Sequence, residues 1–353
     1  MSIISSLTIF DMCFAHFERE RMPSVDLDVY GVGHALVDIQ YRIQTERLLK
    51  LGVQKGIMSL VNNQQQAAII EQIDSQPIAS SSGGSAANTM IGVAMFGGNT
   101  FYSCLTGQDE MGSFYQEDLR KAGVLTSELH RMEGTTGRCI VLITPDADRT
   151  LLTSLGVSEG INPDQIDEHR IAASKYVYIE GYLLSSENGF EACLQAQRLA
   201  QKHKKKVSIT LSDPFMVSTF SDRFSCVLNN GIDLLFCNEQ EAISLTNESK
   251  LEKAARTLSE VAKISYVTCG ADGALLVRDT HLNKIDGVCV QAIDTNGAGD
   301  MFAGGVIYGL THSFDENQSG YLGCYAAAQI VKQYGARLER PLGNAEQIIA
   351  GKN

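Results

Sequence analysis

Tryptophan is absent from this 353-residue chain, and proline is scarce, with 6 residues against 32 glycines. A glycine-rich chain with so little proline fits many tight turns between strands and helices. Basic residues are also in the minority, with 29 Lys and Arg against 41 Asp and Glu, which gives a formal net charge of −12. This charge disfavours a nucleic acid or an anionic membrane as partner. No stretch approaches 18 uninterrupted apolar residues, so we expect no membrane span.

The sequence also lacks the cysteine spacing that is typical of metal-binding or redox motifs. The 9 cysteines are odd in number and include no Cys-x-x-Cys pair, which favours reduced thiols and a cytoplasmic location. Residues 1–21 lack both the positive first region and the small-residue cleavage site of a signal peptide. We therefore expect residues 1–21 to be a disordered extension, and residues 22–353 to form the folded domain.

Residues 294–300 read Asp-Thr-Asn-Gly-Ala-Gly-Asp and lead into a run of small apolar residues. A glycine turn that opens a helix directs free backbone N–H groups outward, at the positive end of the helix dipole, and this is a seat for phosphate oxygens. Asp300 in the first turn would repel phosphate but could take a proton from an attacking hydroxyl. The alternative is that Asp300 only favours the helix start.

This motif, continued by Met-Phe, resembles the C-terminal signature of the ribokinase-like (PfkB) carbohydrate and nucleoside kinases, in the variant typical of adenosine kinases. The resemblance implies that Asp300 is the catalytic base and that the amides of Gly297, Ala298 and Gly299 form an anion hole. It also implies an α/β fold with a mostly parallel central sheet, helices on both faces and a small β-rich lid from about 41–78 and 134–158. Alternating strand and helix patterns after residue 175 favour the same sheet.

A second part of the resemblance lies near the first strand, residues 28–33, and at the Gly-Gly pair before a small-residue helix. It assigns the sugar side of the site to His34, Leu36, Asp38, Gly83, Gly84 and Asn88. A carboxylate such as Asp38 can accept from two adjacent hydroxyls, although a surface aspartate at a strand end is the alternative. The third glycine of a dinucleotide motif is missing, since Leu36 stands there. The family usually has asparagine at the position of His34.

An arginine of the lid is the next candidate. Residues 136–143 alternate like a strand, residues 146–148 predict a hairpin turn, and Arg149 follows. By resemblance, Arg149 closes over the site and stabilises phosphate charge. The alternative is a solvated arginine after a turn.

The nucleotide side is assigned from turns after later strands. Asn238-x-x-Glu241 resembles the family element that helps to hold Mg²⁺, with Glu241 acting through water, and its spacing also suits a capping box. The resemblance implies a nucleotide loop for ATP at Thr268, Gly270, Asp272 and Gly273. It also implies a monovalent-cation site for K⁺ at Asp294 and Asn296, together with the loop 334–337.

These features predict an ATP-dependent kinase that phosphorylates the 5′-hydroxyl of a nucleoside, with adenosine favoured by residues 180–182 and 211–215. A sugar kinase of the same family, acting on ribose or fructose, is the alternative. A non-catalytic nucleotide sensor is disfavoured, because a pure binder gains nothing from a carboxylate facing phosphate. The lid offers apolar residues for a purine slot: Met58, Leu60, Val141, Ile143, Leu151 and Leu155. Monomer and homodimer both stay open.

Overall fold

The computed structural model describes residues 26–146, 148–338 and 340–351. The predicted extension, residues 1–21, lies outside the described residues, as does Ala147 in the predicted hairpin turn.

A nine-stranded sheet forms the centre of the molecule. Its strands, in spatial order, are β16 (His281–Ile285), β15 (Ala274–Arg278), β14 (Ala262–Thr268), β13 (Ile232–Asn238), β12 (Lys206–Thr210), β11 (Ser174–Glu180), β1 (Leu27–Val32), β5 (Thr100–Ser103) and β7 (Val124–Thr126). The strands from β14 to β7 pair in parallel, whereas β15 is antiparallel to both of its neighbours. The predicted, mostly parallel sheet is confirmed.

Helices cover both faces of this sheet, because the parallel strands need crossover connections. They are α1 (Thr45–Lys50), α2 (Asn63–Ile70), α3 (Ser85–Met95), α4 (Glu110–Lys121), α5 (Glu168–Ala172), α6 (Glu187–Lys202), α7 (Pro214–Thr219), α8 (Ser221–Asn229), α9 (Glu239–Thr246), α10 (Leu251–Thr257), α11 (Ala298–Thr311), α12 (Glu316–Ile330) and α13 (Ala345–Ala350). Short 3-10 helices lie at Gly156–Gly160, Pro163–Gln165, Gly181–Ser185, Leu258–Glu260 and Gly270–Asp272.

The side chains of the central strands alternate between two hydrophobic cores. In β11, Tyr176 and Tyr178 join one core, whereas Val177 and Ile179 join the other. The first core packs against α3, α11 and α12, and the second against α6, α8 and α10. A strand buried on both faces reads as a nearly continuous apolar run, which is why these strands could be predicted from sequence.

A second sheet of five strands corresponds to the β-rich lid. Its order is β3 (Met58–Leu60), β10 (Arg149–Ser154), β9 (Gly137–Ile143), β2 (Leu36–Arg42) and β4 (Ala79–Gly83). Strands β3, β9 and β10 lie inside the predicted lid segments, whereas β4 and most of β2 lie outside them. A further short pair joins β6 (Thr106–Gly107) and β8 (Arg131–Met132).

In the part of the chain that the structure describes, no helix is long and apolar enough to cross a bilayer.

Candidate active site

The first turn of α11 begins at Gly297, whose φ of 77° lies in the left-handed region that glycine tolerates. A Cβ on Gly297 would come within 2.7 Å of the Cβ of Ala336, so a side chain does not fit there. A Cβ on Gly299 would meet no heavy atom within 4 Å. The N-terminal end of α11 therefore faces open space at Gly299, as the predicted anion hole requires. The N–H of Ala298, however, already donates to Thr295 O at 3.2 Å.

Asp300 is held by two side chains of α3. Its Oδ1 accepts a hydrogen bond from Ser85 Oγ at 2.7 Å, and its Oδ2 accepts one from Asn88 Nδ2 at 3.0 Å. Removal from water raises the pKa of Asp300 to about 6, and these two hydrogen bonds oppose that rise. Each carboxylate oxygen can accept a second hydrogen bond, so the group can still receive a substrate proton near neutral pH.

Asp38 lies on β2 of the lid sheet, between Ser81 of β4 and Cys139 of β9. Its carboxylate packs against Gly83, where a Cβ would come within 2.4 Å of Asp38 Oδ2. Burial raises the pKa of Asp38 to about 7; the charge of Arg337 lowers it, and that of Asp300 raises it. Gly83, against which Asp38 packs, lies two residues before Ser85, which donates to Asp300. The turn at residues 83–85 thus links Asp38 and Asp300, although 262 residues separate them in sequence.

The residues around the Gly-Gly pair form a tight junction rather than an open surface. Gly84 is the N-cap of α3 with a φ of 99°, and a Cβ there would come within 2.3 Å of the backbone oxygen of His34. The His34 ring is buried, and its Nδ1 lies 3.1 Å from both Ser158 O and Ser158 Oγ. Burial lowers the pKa of His34 to about 4, so the ring is neutral. This arrangement gives the ring a structural role, and substrate contact by His34 stays a prediction. Leu36 begins β2 and pairs with Gly83.

Arg149 begins β10 and is not a solvated arginine, because it is 9% exposed. Its Nη1 lies 2.9 Å from Asp294 Oδ2, and its guanidinium lies over the Tyr334 ring, 5.5 Å from the centroid. The Nε and Nη2 atoms of Arg149 are buried without a hydrogen-bond partner. A buried guanidinium with unused donors can bind an anion that enters the site.

Asp294 and Asn296 hold the loop before α11. Besides the ion pair with Arg149, Asp294 accepts hydrogen bonds from Gly335 N at 2.7 Å and from Asn296 N at 3.1 Å. All three neighbours present positive charge or N–H groups to the carboxylate. The Asp294 side chain therefore fixes the loop, and the predicted K⁺ site at Asp294 and Asn296 stays a prediction.

Asn238 and Glu241 form the capping box that their spacing indicated. Asn238 Oδ1 accepts from Glu241 N at 2.8 Å, and Glu241 Oε2 accepts from Asn238 N at 2.9 Å. Asn238 Nδ2 also donates to Glu241 Oε1 at 2.7 Å. Burial raises the pKa of Glu241 to about 7; the Asn238 hydrogen bond lowers it, and the charges of Asp213 and Asp300 raise it. The charges of Asp213 and Asp300 therefore both act on Glu241.

The predicted nucleotide loop lies at the carboxyl edge of the central sheet. Thr268 ends β14, beside Asn238 at the end of β13. A Cβ on Gly270 would meet no heavy atom within 4 Å, whereas one on Gly273 would lie 2.1 Å from Ile285 O. Gly270 therefore leaves room beside the backbone, Gly273 serves close packing, and Asp272 is exposed. Ligands of open α/β sheets bind at this edge.

From the sequence, Ser85 has no predicted role, and Arg337 has a different predicted role from the one that the structure shows. Ser85 directly follows the Gly-Gly pair, and that position was the available signal. Arg337 was placed in a cation loop, but its Nη2 lies 3.1 Å from Asp118 Oδ2 and donates to Ser82 O at 2.6 Å. Arg337 also lowers the pKa of Asp38, so its positive charge acts on the Asp38 carboxylate.

The sequence matches the family described as pfkB family carbohydrate kinase over residues 58–342. The structure is similar to the crystal structure of adenosine kinase from Sinorhizobium meliloti, with a TM-score of 0.85 and 31% identity over 92% of this chain and 99% of the other. It is equally similar to a probable sugar kinase protein from Rhizobium etli CFN 42, with a TM-score of 0.85 and 31% identity over 93% and 99%. Adenosine kinase from Saccharomyces cerevisiae is 28% identical over 86% of this chain and 94% of its own length.

Proposed function

Because the chain belongs to the pfkB family of carbohydrate kinases, we propose that it transfers the γ-phosphoryl group of ATP to the 5′-hydroxyl of a nucleoside, with adenosine as the preferred acceptor. It is a phosphotransferase that acts on an alcohol group. The similarity to adenosine kinases from a bacterium and a yeast supports the choice of acceptor. The observation that carries the proposal is the position of Asp300, at the open N-terminal end of α11 and linked to Asp38 through the turn at residues 83–85.

In this reaction Asp300 accepts the proton of the 5′-hydroxyl while the hydroxyl oxygen bonds to the γ-phosphorus. The bond from that phosphorus to the β–γ bridging oxygen breaks, and ADP leaves. Ser85 and Asn88 orient the carboxylate and keep its oxygens at fixed positions. A pKa of about 6 leaves most of Asp300 ionised at neutral pH and still basic enough to take the proton.

The amides near Gly299 and the guanidinium of Arg149 are the positive groups that would stabilise the transferred phosphoryl group. Arg149 has donors to spare for this task. We assign the ATP phosphates and ribose to the edge formed by Asn238, Thr268 and Gly270, where the backbone is accessible at Gly270.

We propose that Mg²⁺ binds this site through water molecules. Among the described residues, no group of three or more His, Cys, Asp or Glu side chains is placed to hold a metal ion directly. Glu241 and Asp213 are carboxylates close enough for their charges to interact, and they would hold a hydrated Mg²⁺ beside the phosphates. The ion supplies neutralisation of the charge on the phosphate oxygens. A K⁺ requirement at Asp294 and Asn296 is a separate prediction, tested by replacing K⁺ with Li⁺ in the assay.

We assign the acceptor to the face of the lid sheet that carries Asp38, which would accept from two sugar hydroxyls. Cys139, Val141 and Ile143 of β9 form a small apolar cluster, and Leu151 packs against it. Asp38 pairs with Cys139, and Leu151 pairs with Val141. Because alternate residues of a strand point to the same face, the cluster lies on the face that carries Asp38. This cluster supports the proposed purine slot. Met58 and Leu60 lie on the edge strand β3 and are 42% and 61% exposed. Leu155, the sixth residue of the predicted slot, follows the last residue of β10 and is the N-cap of the 3-10 helix Gly156–Gly160.

A sugar kinase is the second candidate, and the equal similarity to the Rhizobium etli protein favours it. A vicinal diol on ribose or fructose would satisfy Asp38 as well as a riboside does. The apolar cluster on the lid argues for the nucleoside, because a free sugar would leave it unfilled.

The discriminating experiment measures ADP formation with adenosine, inosine, guanosine, ribose and fructose, together with the shift in melting temperature that each compound causes. Adenosine should give the largest shift and the highest rate. A larger shift and rate with a free sugar would move the chain to the sugar-kinase branch.

We further propose a cytoplasmic location, because the eight described cysteines are all free thiols. No nucleic acid or membrane is expected as partner. Sedimentation at several concentrations would separate a monomer from a homodimer.

A further inference from the structure

Glu180 is a buried carboxylate to which the proposed chemistry gives no role. It is the last residue of β11 and is 1% exposed. A carboxylate this deep in a protein needs hydrogen-bond donors to be tolerated in its ionised form. The two backbone donors to Glu180 come from helix α3 and from the loop between β1 and β2.

The first donor belongs to α3. Gly84, the N-cap of this helix, offers no side chain to cap it. Glu180 Oε2 accepts from the backbone N of Ala86 at 2.8 Å, from a position 94 residues away in sequence. Glu180 therefore supplies the cap that glycine cannot, with an acceptor oxygen at the positive end of the helix dipole.

The second donor belongs to the loop between β1 and β2. Glu180 Oε1 accepts from the backbone N of His34 at 3.4 Å. A Cβ on Gly33 would lie 2.3 Å from Glu180 Oε2, and Tyr102 Oη donates to His34 O at 3.0 Å. The same His34 oxygen lies against Gly84. The carboxylate of Glu180 thus occupies the junction at which the β1–β2 loop meets the start of α3.

This junction sets the geometry of the base. Residue Ala86 lies between Ser85 and Asn88, whose side chains donate to the two oxygens of Asp300. We propose that Glu180 is a positioning residue, which caps α3, holds the β1–β2 loop against it and thereby fixes Ser85 and Asn88 on Asp300. The inference rests on the proposed function for its effect on turnover, but not for its effect on α3.

Both oxygens of Glu180 act as hydrogen-bond acceptors, because each faces a backbone N–H group. Burial raises the pKa of Glu180 to about 8, and the N–H groups of Ala86 and His34 oppose that rise. A glutamine of the same size would keep one acceptor but would present an NH₂ group to the other backbone N–H. Glu180→Gln therefore removes one of the two contacts without opening a cavity.

The test compares Glu180→Gln with Asp233→Asn. Asp233 also accepts from a backbone N–H, that of Val207 at 2.8 Å, but lies at the opposite edge of the sheet. We expect Glu180→Gln to raise amide hydrogen exchange in residues 85–95 by about tenfold, since a lost cap frees the helix end. We also expect kcat to fall about tenfold or more, while KM for ATP changes less than about twofold. Asp233→Asn should leave both the exchange of α3 and kcat at their wild-type values.

Unchanged exchange of α3 and unchanged kcat in Glu180→Gln would overturn the inference. A loss of melting temperature with wild-type kcat would also overturn it, since that result means a structural role alone. Should Glu180→Gln fail to fold, Glu180→Asp keeps the carboxyl group on a shorter side chain, and we expect it to show intermediate exchange and kcat. Wild-type values of both would contradict the need for a side chain long enough to contact both α3 and the β1–β2 loop. If the wild-type protein phosphorylates no acceptor, the proposed function fails, and the exchange data still decide whether Glu180 caps α3.

Discussion

Replacing Asp300 with asparagine removes one charge and keeps the shape of the side chain. In the wild type, Ser85 Oγ and Asn88 Nδ2 both donate to this carboxylate at 2.7 and 3.0 Å. The Ser85 hydroxyl can rotate to accept from an amide, so a hydrogen bond survives on that side. What the variant cannot do is take the proton of the attacking hydroxyl. The loss should therefore appear in turnover and not in folding.

General base catalysis contributes about 10²–10⁴-fold. We expect Asp300→Asn to lower kcat by about 10²-fold or more, roughly 3 kcal/mol of transition-state stabilisation, with a modest change in KM. The assay is steady-state ADP formation with adenosine as the varied acceptor. Near-full turnover in Asp300→Asn would refute the role of Asp300 as the base.

The pH dependence provides an independent check on the same residue. Burial raises the pKa of Asp300 from 3.8 to about 6, so wild-type kcat/KM should fall as the pH drops through about 6. Because the folded state binds the proton more tightly than the unfolded chain, the contribution of Asp300 to stability declines as the pH rises from about 4 to about 6. Above pH 6, Asp300→Asn should thus melt no lower than the wild type. A variant that melts well below the wild type at pH 7.5 would contradict this electrostatic reasoning.

Three further predictions concern nucleoside binding, ATP binding and stabilisation of the transferred phosphoryl group. Asp38→Ala should weaken nucleoside binding by about 2–4 kcal/mol and leave the Kd of ATP unchanged, as measured by calorimetry. A change in the Kd of ATP alone would mean that the nucleoside pocket and the ATP pocket are assigned the wrong way round. Gly299→Ala should fold normally, because its Cβ meets open space, and should raise KM for ATP, whereas the control Gly273→Ala should lower the melting temperature, since its Cβ would lie 2.1 Å from a backbone oxygen. Arg149→Gln should lower kcat about 10²-fold or more. It should also destabilise the fold, because the Asp294 carboxylate is left unpaired. The double variant with Asp294→Asn should recover the melting temperature but not kcat, and a recovered kcat would exclude phosphate stabilisation by Arg149.

Much of the central fold could be predicted from local patterns. The apolar runs of β1, β11 and β13 are nearly continuous because these strands are buried on both faces, and the glycine turn at Gly297 identifies the start of α11. The capping box of Asn238 and Glu241 is also local, since its partners are three residues apart. Such features depend only on neighbouring residues, so one sequence is sufficient to find them.

The long-range contacts could not be predicted in this way. The hydrogen bonds from Ser85 and Asn88 to Asp300 join positions 215 and 212 residues apart, and the cap of α3 by Glu180 depends on the order of the strands. The ion pair of Arg149 and Asp294 likewise requires the lid sheet to meet the loop before α11. Residue type and spacing carry no information on which of these distant groups meet, because packing of the whole fold decides it.

The most direct test of the proposed activity is the ratio of kcat/KM values for adenosine, ribose and fructose, measured under one magnesium and potassium condition. We predict that adenosine exceeds both free sugars by at least about 10²-fold, roughly 3 kcal/mol of transition-state binding, because only the nucleoside fills the apolar cluster of the lid. Equal efficiencies, or a preference for a free sugar, would contradict the assignment of this chain as a nucleoside kinase.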